Sequence, residues 1–179
     1  MQDWNVVVTV FQEGYRRALR ALRALGSAER SPYHNVLVMK AEDPMALLAA
    51  VEACTDESPA LYDAISRVAP AQRTFDFGST ADFLDVTKSI VCEWTPRLAG
   101  RRFHVRVHRR GMGHDLHTQD IENRLDTAIL DGTASMGSPS SIGFTDMEAM
   151  IAVDTIDHRA GVSLWTREDL ACHRLLRPD

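Results

Sequence analysis

The chain has few cysteines, and those it has are far apart. Cys54, Cys92 and Cys172 are odd in number, and no two of them form a Cys-x-x-Cys pair. Disulfide scaffolds need an even set of cysteines and zinc ribbons need close pairs, so neither class of protein is indicated. We expect three reduced, buried thiols in a cytoplasmic protein.

Long hydrophobic runs are also missing. No apolar stretch approaches the ~20 residues of a membrane-spanning helix. The N-terminal residues MQDWNVVVTVF include an acidic residue and no basic stretch, unlike a signal peptide. Hydrophobic residues make up 45% and charged residues 25% of 179 positions, which is typical of one ordinary globular domain or two small ones. No membrane partner is expected.

The familiar catalytic signatures are absent. The sequence contains no GxGxxG after a strand, no GxxxxGK[ST], no HExxH and no GxSxG. The small-residue stretch GSPSSIG lacks the strand-to-helix context of a nucleotide site. Asp154, Asp157 and His158 could form an acid-base group at a strand end, but such residues are more often solvated turn residues. The sequence therefore predicts no enzyme and no cofactor.

Positive charge is scarce overall and concentrated where it occurs. The chain has 20 Lys and Arg against 25 Asp and Glu, a net charge of -5. Seven arginines nevertheless lie within residues 97–124, against three acidic residues. Arginine keeps its charge and binds phosphate through a rigid two-pronged fork, so this segment favours phosphate binding over a merely solubilising surface. A second basic face, on a helix from Tyr15 to Leu25, is interpreted as a solvated surface.

Four of the seven histidines lie in the same basic segment: His104, His108, His114 and His117. They raise the alternative of a metal site. However, no cysteine is near, and strand positions four apart are separated by ~13 Å at ~3.3 Å per residue. His104 and His108 could not share one ion, so no metal is predicted.

The first half of the chain alternates between strand and helix patterns. Strands are predicted over 4–11, 35–40 and 71–77, and helices over 15–25 and from Asp43, which caps the helix before Pro44. The stretch LYDAISRVAP is predicted to be helical until Pro70. This order is consistent with a small ferredoxin-like layer of sheet and helices.

The second half begins at residue 78 with a helix capped by Ser79 or Thr80. FHVRVHRR then alternates, with Phe103, Val105 and Val107 on one face. After the turn GMGHDLH, Thr118 is expected to cap a helix whose inner stripe is Ile121, Leu125 and Ile129. A loop over 131–143, strands over 147–156 and 161–165, and a terminal helix over 167–176 complete the prediction.

These residues resemble the THUMP domain, an RNA-binding module of tRNA-modifying proteins. The motif is carried by FHVRVHRRGMGHDLHTQDIENRL, by the paired strands MIAVDTIDHRAGVSLW and by the helix after Thr166. ISRVAPAQRTFDF resembles the junction with an N-terminal ferredoxin-like domain. The resemblance implies an α+β protein in which a ferredoxin-like domain, residues 1–77, packs against a THUMP domain, residues 78–179.

Within that family, the whole chain most resembles the stand-alone adaptor that assists tRNA cytidine acetylation. The resemblance implies a non-catalytic protein that grips the tRNA acceptor region by shape and backbone, binds no DNA, and serves a separate modifying enzyme such as an acetyltransferase. The alternative is an oligomeric small-molecule-sensing or regulatory module without RNA binding. The RNA contacts that the resemblance implies are Arg106, Arg109, Arg110, His114, His117 and Thr118. Charge and proximity add Arg101, Arg102, Lys88 and Arg124.

Overall fold

A computed structural model describes residues 3–111 and 117–177, and their contacts group into two compact units. Unit 1 comprises residues 3–72 and 170–177, and unit 2 comprises residues 73–169. The division therefore lies at 72/73, five residues before the expected one, and residues 170–177 group with the first unit. Two sheets and seven α-helices confirm the α+β class over the described residues.

Unit 1 is built on a four-stranded sheet with the order β2-β3-β1-β4, in which every neighbouring pair is antiparallel. Along the chain the strands and helices follow as β-α-β-β-α-α-β. The elements are β1 (Val6–Val10), α1 (Tyr15–Leu25), β2 (Ser27–Arg30), β3 (Val36–Lys40), α2 (Pro44–Glu57), α3 (Pro59–Tyr62) and β4 (Ile65–Pro70).

The helices of unit 1 begin and face inward as their sequences indicate. The Asp43 carboxylate accepts hydrogen bonds from the backbone N–H groups of Met45 and Ala46, at 2.9 and 3.0 Å, and so caps α2 before Pro44. In α1 the buried residues are Ala18, Leu19 and Leu22, while its arginines are exposed. The amphipathic pattern of α1 therefore fixes which of its faces reaches solvent.

The helix predicted over residues 61–70 is wrong. Only the single turn of α3 is helical there, and β4 follows it and pairs with β1. Ile65 and Val68 are buried in β4, at 2% and 0% exposure. Pairing with the sheet overrides the local helical pattern, and β-branched side chains suit a pleated, buried surface.

The C-terminal residues of unit 1 bind along β4 and α2. The Val68 N–H donates to the Leu175 carbonyl at 2.9 Å. Both carboxylate oxygens of Glu52 are used as well, one by the Leu175 N–H at 3.1 Å and the other by His173 Nδ1 at 2.8 Å. Leu175 is fully buried. Residues 170–177 are thus part of the packing of unit 1.

Unit 2 contains a five-stranded sheet with the order β5-β9-β8-β6-β7. Strand β6 is parallel to both of its neighbours, whereas β9 is antiparallel to β5 and β8. The elements are β5 (Arg73–Asp76), α4 (Thr80–Glu93), α5 (Thr95–Leu98), β6 (Arg102–His108), α6 (Thr118–Ser135), β7 (Ser141–Ile142), β8 (Ala149–Ile156) and β9 (Arg159–Thr166); α7 (Arg167–Cys172) spans the division between the units.

The predicted inner faces of unit 2 are confirmed. Ile121, Leu125 and Ile129 of α6 are at most 1% exposed. Together with the apolar face of β6 and residues of α4, they form one hydrophobic cluster. Helices α4 and α6 therefore cover the face of β6 that carries Phe103, Val105 and Val107.

The loop predicted over residues 131–143 begins later than expected, because α6 continues to Ser135. Gly132, a poor helix former, lies inside this helix. A Cβ atom at Gly132 would lie 2.8 Å from the Thr95 methyl group of α5. The glycine therefore permits the close approach of α5 to α6, which explains why it is compatible with the helix here.

The sequence analysis expected the three cysteines to be buried. Cys92 and Cys172 are exposed and Cys54 is partly exposed, so the expectation of buried thiols is wrong, although all three are free.

Within residues 3–111 and 117–177, no helix is both long and apolar enough to cross a membrane.

Candidate nucleic-acid interface

Strand β6 presents two different faces. Phe103, Val105 and Val107 are buried, whereas His104, Arg106 and His108 are partly exposed on the opposite face. Arg109 and Arg110 follow at the C-terminal end of the strand and are also partly exposed. The alternating sequence thus places the Arg106 guanidinium on the side of the sheet that α4 and α6 do not cover.

Arg110 is fixed by several contacts at the end of β8. Its guanidinium lies 3.3 Å from the carboxylate of Asp154, whose side chain is only 7% exposed. Its backbone N–H donates to the Thr155 hydroxyl at 3.1 Å, and its carbonyl accepts from the Asp157 N–H at 3.0 Å. Arg110 is therefore held at the end of β6, and a buried carboxylate compensates much of its charge.

The start of α6 lies at the same end of unit 2, since α6 returns antiparallel to β6. The N-cap residue is His117 and the helix begins at Thr118, so the expected cap is shifted by one residue. The His117 N–H donates to the Asp120 carboxylate at 3.3 Å. His117 is exposed and Thr118 partly exposed. His114 lies outside the described residues.

Two carboxylates of α6, Glu122 and Asp126, are buried or half-buried on this helix, and one of them binds β6. Glu122 is buried and accepts a hydrogen bond from the Val107 N–H at 3.0 Å. One turn later, burial raises the pKa of Asp126 to about 6, and the nearby Glu122 carboxylate adds to the shift. Sequence alone gave no signal for them, because charged residues on a helix are usually solvated.

His104 contacts an aromatic residue that was also missed. Its ring lies 4.9 Å from the ring of Phe144, which is 69% exposed. Partial burial lowers the pKa of His104; Glu122 opposes this effect and Arg106 reinforces it. The resulting surface combines a weakly basic imidazole, an exposed aromatic ring and, two residues along the strand, Arg106. Phe144 is the single phenylalanine of the polar loop before β8, and this was the signal in the sequence that could have pointed to an exposed aromatic residue.

The remaining predicted contacts lie elsewhere on unit 2. Lys88 and Arg124 are exposed and line one shallow groove of about 420 Å³ between α4 and α6, which Asp85 also lines. This groove is on the helix side of the sheet, opposite the face that carries Arg106. The structure therefore brings Lys88 and Arg124 together but separates them from Arg106.

Arg101 and Arg102 lie at the N-terminal end of β6, at the other end of the strand from Arg109. Arg101 is exposed. The Arg102 guanidinium pairs with Asp146, and its backbone N–H donates to the Glu148 carboxylate at 3.0 Å. The charge of Arg102 is thus partly compensated within unit 2.

The acid-base group considered from sequence has structural contacts instead. Asp154 pairs with Arg110, Asp157 adopts a left-handed conformation (φ 52°) at the turn between β8 and β9, and the His158 ring meets the Phe77 ring edge-on at 5.9 Å. Over the part of the chain that the structure describes, no three His, Cys, Asp or Glu side chains are grouped to hold a metal ion.

Comparison with known proteins identifies a fold and no family. No protein-family model matches the chain, and no curated protein is significantly similar in sequence. Solved structures do share the fold, at low sequence identity. This likeness supports the THUMP-like fold that the sequence resemblance implied, and at these identities it shows the fold alone.

Three of these structures illustrate the likeness. PH1313 from Pyrococcus horikoshii matches over 89% of this chain and 53% of its own, with 12% identity and a TM-score of 0.63. TrmN from Thermus thermophilus matches over 89% of this chain and 44% of its own, with 18% identity and a TM-score of 0.59. A 4-thiouridine synthetase, in complex with RNA and ATP, matches over 90% of this chain and 41% of its own, with 12% identity and a TM-score of 0.52. The chain thus spans about half the length of these proteins or less.

Proposed function

We propose that the protein binds structured RNA, most specifically the acceptor region of tRNA, as a non-catalytic adaptor for a separate tRNA-modifying enzyme such as an acetyltransferase. In this proposal, unit 1 is a ferredoxin-like domain and unit 2 is a THUMP domain. The antiparallel order β2-β3-β1-β4 and the split β-α-β connections of unit 1 support the first assignment. The structural likeness to a 4-thiouridine synthetase in complex with RNA supports the second.

The observation that carries the proposal is the basic end of β6 in an acidic protein. Arg106 is partly exposed on the face of β6 opposite α4 and α6, and Arg109, also partly exposed, follows it at the end of the strand. His117 and Thr118 stand at the start of the returning helix. We assign phosphate contacts to Arg106 and Arg109, with His117 and Thr118 beside them. Arg110 pairs with Asp154 at the end of β8.

The other predicted RNA contacts lie away from Arg106 and Arg109, and we propose that they contribute less to binding. Lys88 and Arg124 form a separate basic groove on the helix side, and Arg101 and Arg102 lie at the far end of β6. A duplex that contacts all of them would have to cover two sides of unit 2. Recognition through backbone and shape suits A-form RNA, because its deep major groove hides the base edges from side chains.

The non-catalytic part of the proposal rests on what the residues at the candidate acid-base site do. Asp154, Asp157 and His158 are engaged in an ion pair, a turn and a ring contact. Structures with this fold include a predicted N6-adenine-specific DNA methylase, a possible methylase and a putative methyltransferase complexed with SAH, but the chain spans less than half the length of those proteins. Their activities are therefore not assigned to this chain.

The test is binding of total tRNA and of an acceptor-stem hairpin across a salt series. The Arg106→Ala/Arg109→Ala variant is compared with Arg97→Ala, which removes an exposed arginine of the same basic segment on α5. Loss of two phosphate contacts should weaken binding by about tenfold or more and lower the slope of log affinity against log salt by up to ~1.8. The control should bind like the wild type.

Two results would contradict the proposal. The first is the absence of binding at low salt, which would favour the oligomeric small-molecule sensor. The second is a loss of binding free energy in Arg97→Ala that is about half of the loss in the double variant, since one charge is removed instead of two; this would mean that net charge alone, and not this end of β6, is responsible. Circular dichroism establishes that each variant is folded.

A further inference from the structure

A second basic surface lies in unit 1, on α1 and β2. Residues 15–30 contain five arginines and one acidic residue, in a chain whose net charge is -5. Arg16, Arg20 and Arg23 recur along one side of α1 and are exposed. Positions 16 to 23 span about 10 Å along the helix at ~1.5 Å per residue. This length accommodates more than one phosphate group.

The arginines converge on one groove. A concavity of about 420 Å³ is lined by four arginines and one buried leucine: Arg16, Leu19, Arg20, Arg23 and Arg30. Arg30 comes from β2, a different element. A solvated helix face would need no contribution from a neighbouring strand, so the convergence distinguishes this groove from an ordinary charged surface.

Two of these arginines are held in position. The Arg23 Nε donates to the Ala28 carbonyl at 3.2 Å, and the Arg30 guanidinium lies over the Tyr15 ring, 5.7 Å from its centre. Each contact restrains the side chain while leaving terminal N–H groups for a ligand. In contrast, Arg17 points away from the groove and donates to the Ala60 carbonyl at 2.8 Å.

The arginines of the groove form no ion pair with another residue that the structure describes. Other arginines of the protein pair with carboxylates, as in Arg102–Asp146, Arg110–Asp154, Arg159–Asp76 and Arg174–Asp56. Among the described residues, no carboxylate lies within ion-pair distance of the four arginines of the groove. Concentrated like charge raises the local potential and attracts multivalent anions.

We propose that this groove binds a ligand with two or more neighbouring phosphate groups. The bidentate fork of arginine matches phosphate oxygens, and several forks at helical spacing suit a chain of phosphates. An RNA strand and a free oligophosphate share this chemistry. The proposal concerns unit 1 and does not depend on the site at the end of β6.

The experiment uses the full chain and the Arg16→Ala/Arg20→Ala variant, which removes the two arginines that make no hydrogen bond within the described residues. Arg17→Ala, on the same helix but outside the groove, is the control. Binding of inorganic tripolyphosphate is measured by calorimetry, and binding of a single-stranded RNA and of the acceptor-stem hairpin by fluorescence. The Arg106→Ala/Arg109→Ala variant is measured in parallel.

Either of two results supports the proposal and identifies the source of the phosphates. An RNA affinity that falls about tenfold in Arg16→Ala/Arg20→Ala, with a salt slope lower by ~1.4 to 1.8, indicates an RNA strand. One-to-one binding of tripolyphosphate that is lost in this variant and retained in Arg106→Ala/Arg109→Ala indicates a free oligophosphate. If the variant binds both probes as the wild type does, or if Arg17→Ala has the same effect per charge removed, the proposal is overturned. If only the proposed site at the end of β6 is wrong, Arg106→Ala/Arg109→Ala binds RNA as the wild type does, and the results for Arg16→Ala/Arg20→Ala are unaffected.

Discussion

Arg106 and Arg110 are four residues apart in one basic segment, yet their side chains have different surroundings. Arg106 lies on the partly exposed face of β6, whereas Arg110 lies beside a buried carboxylate and is 18% exposed. The sequence predicted the same part for both, because composition counts charges and cannot show which of them are paired. Asp154 is 44 residues away in the chain, so only the fold shows the pairing.

Replacing Arg110 with Ala should destabilise unit 2, because it would leave the Asp154 carboxylate buried without its ion pair. Removing one partner of such a pair costs about 3 kcal/mol in the free energy of unfolding. Chemical denaturation checks this. The double variant Arg110→Ala/Asp154→Asn should recover part of the loss, and Arg101→Ala, at an exposed position, should change little. A single variant as stable as the wild type would show that the ion pair is not structural.

The half-buried carboxyl of Asp126 should make stability depend on pH. Burial and Glu122 raise its pKa from 3.8 to about 6 in the folded protein, so the folded state binds more protons than the unfolded state between these values. Ionisation of Asp126 therefore lowers stability as the pH rises from about 4 to about 6. Asp126→Asn should stabilise the protein above pH 6 and have little effect near pH 4. Denaturation across this range, with Asp131→Asn as an exposed control, tests the sign.

At the scale of elements, the sequence predicted those whose pattern is strong and missed those that depend on neighbours. Helix α1 has the predicted bounds, and α2 and α4 have the expected caps. Strand β2 was missed because SAER has one buried residue among four and is recognisable only through its pairing with β3. Strand β4 was predicted as helix for the same reason, since its place beside β1 decides its conformation.

The C-terminal segment of unit 1 gives a prediction at this scale. Leu175 is fully buried, and its backbone pairs with β4 and Glu52. Leu175→Ala should lower the unfolding free energy of unit 1 by about 3 kcal/mol. Fluorescence of Trp4, with the two tryptophans of unit 2 replaced by Phe, reports this unit. Arg177→Ala, two residues further and exposed, should have almost no effect; equal effects of both variants would contradict a specific role for Leu175.

At the scale of the whole molecule, charge segregation was visible in the sequence and its three-dimensional distribution was not. The basic segment 97–124 is one run in the chain, but the fold sends its residues to both ends of β6 and to the helix side of unit 2. The arginines of α1 were interpreted as a solvated face because an amphipathic helix needs one in any case. Arg30, which completes their groove, belongs to another element. Linear spacing along a helix could not include it.

The chain order of the two units has a consequence for synthesis. In the sequence, unit 2 separates the two parts of unit 1, so residues 3–72 leave the ribosome well before Leu175, whose carbonyl accepts from Val68 of β4. At about 5–20 residues per second, translation of the intervening ~100 residues takes roughly 5–20 seconds. During this interval the nascent sheet has an unpaired strand edge, which is a site for aggregation. Unit 2 is continuous in sequence and does not need residues 170–177, whereas unit 1 is expected to complete its packing only after Leu175 has been synthesised.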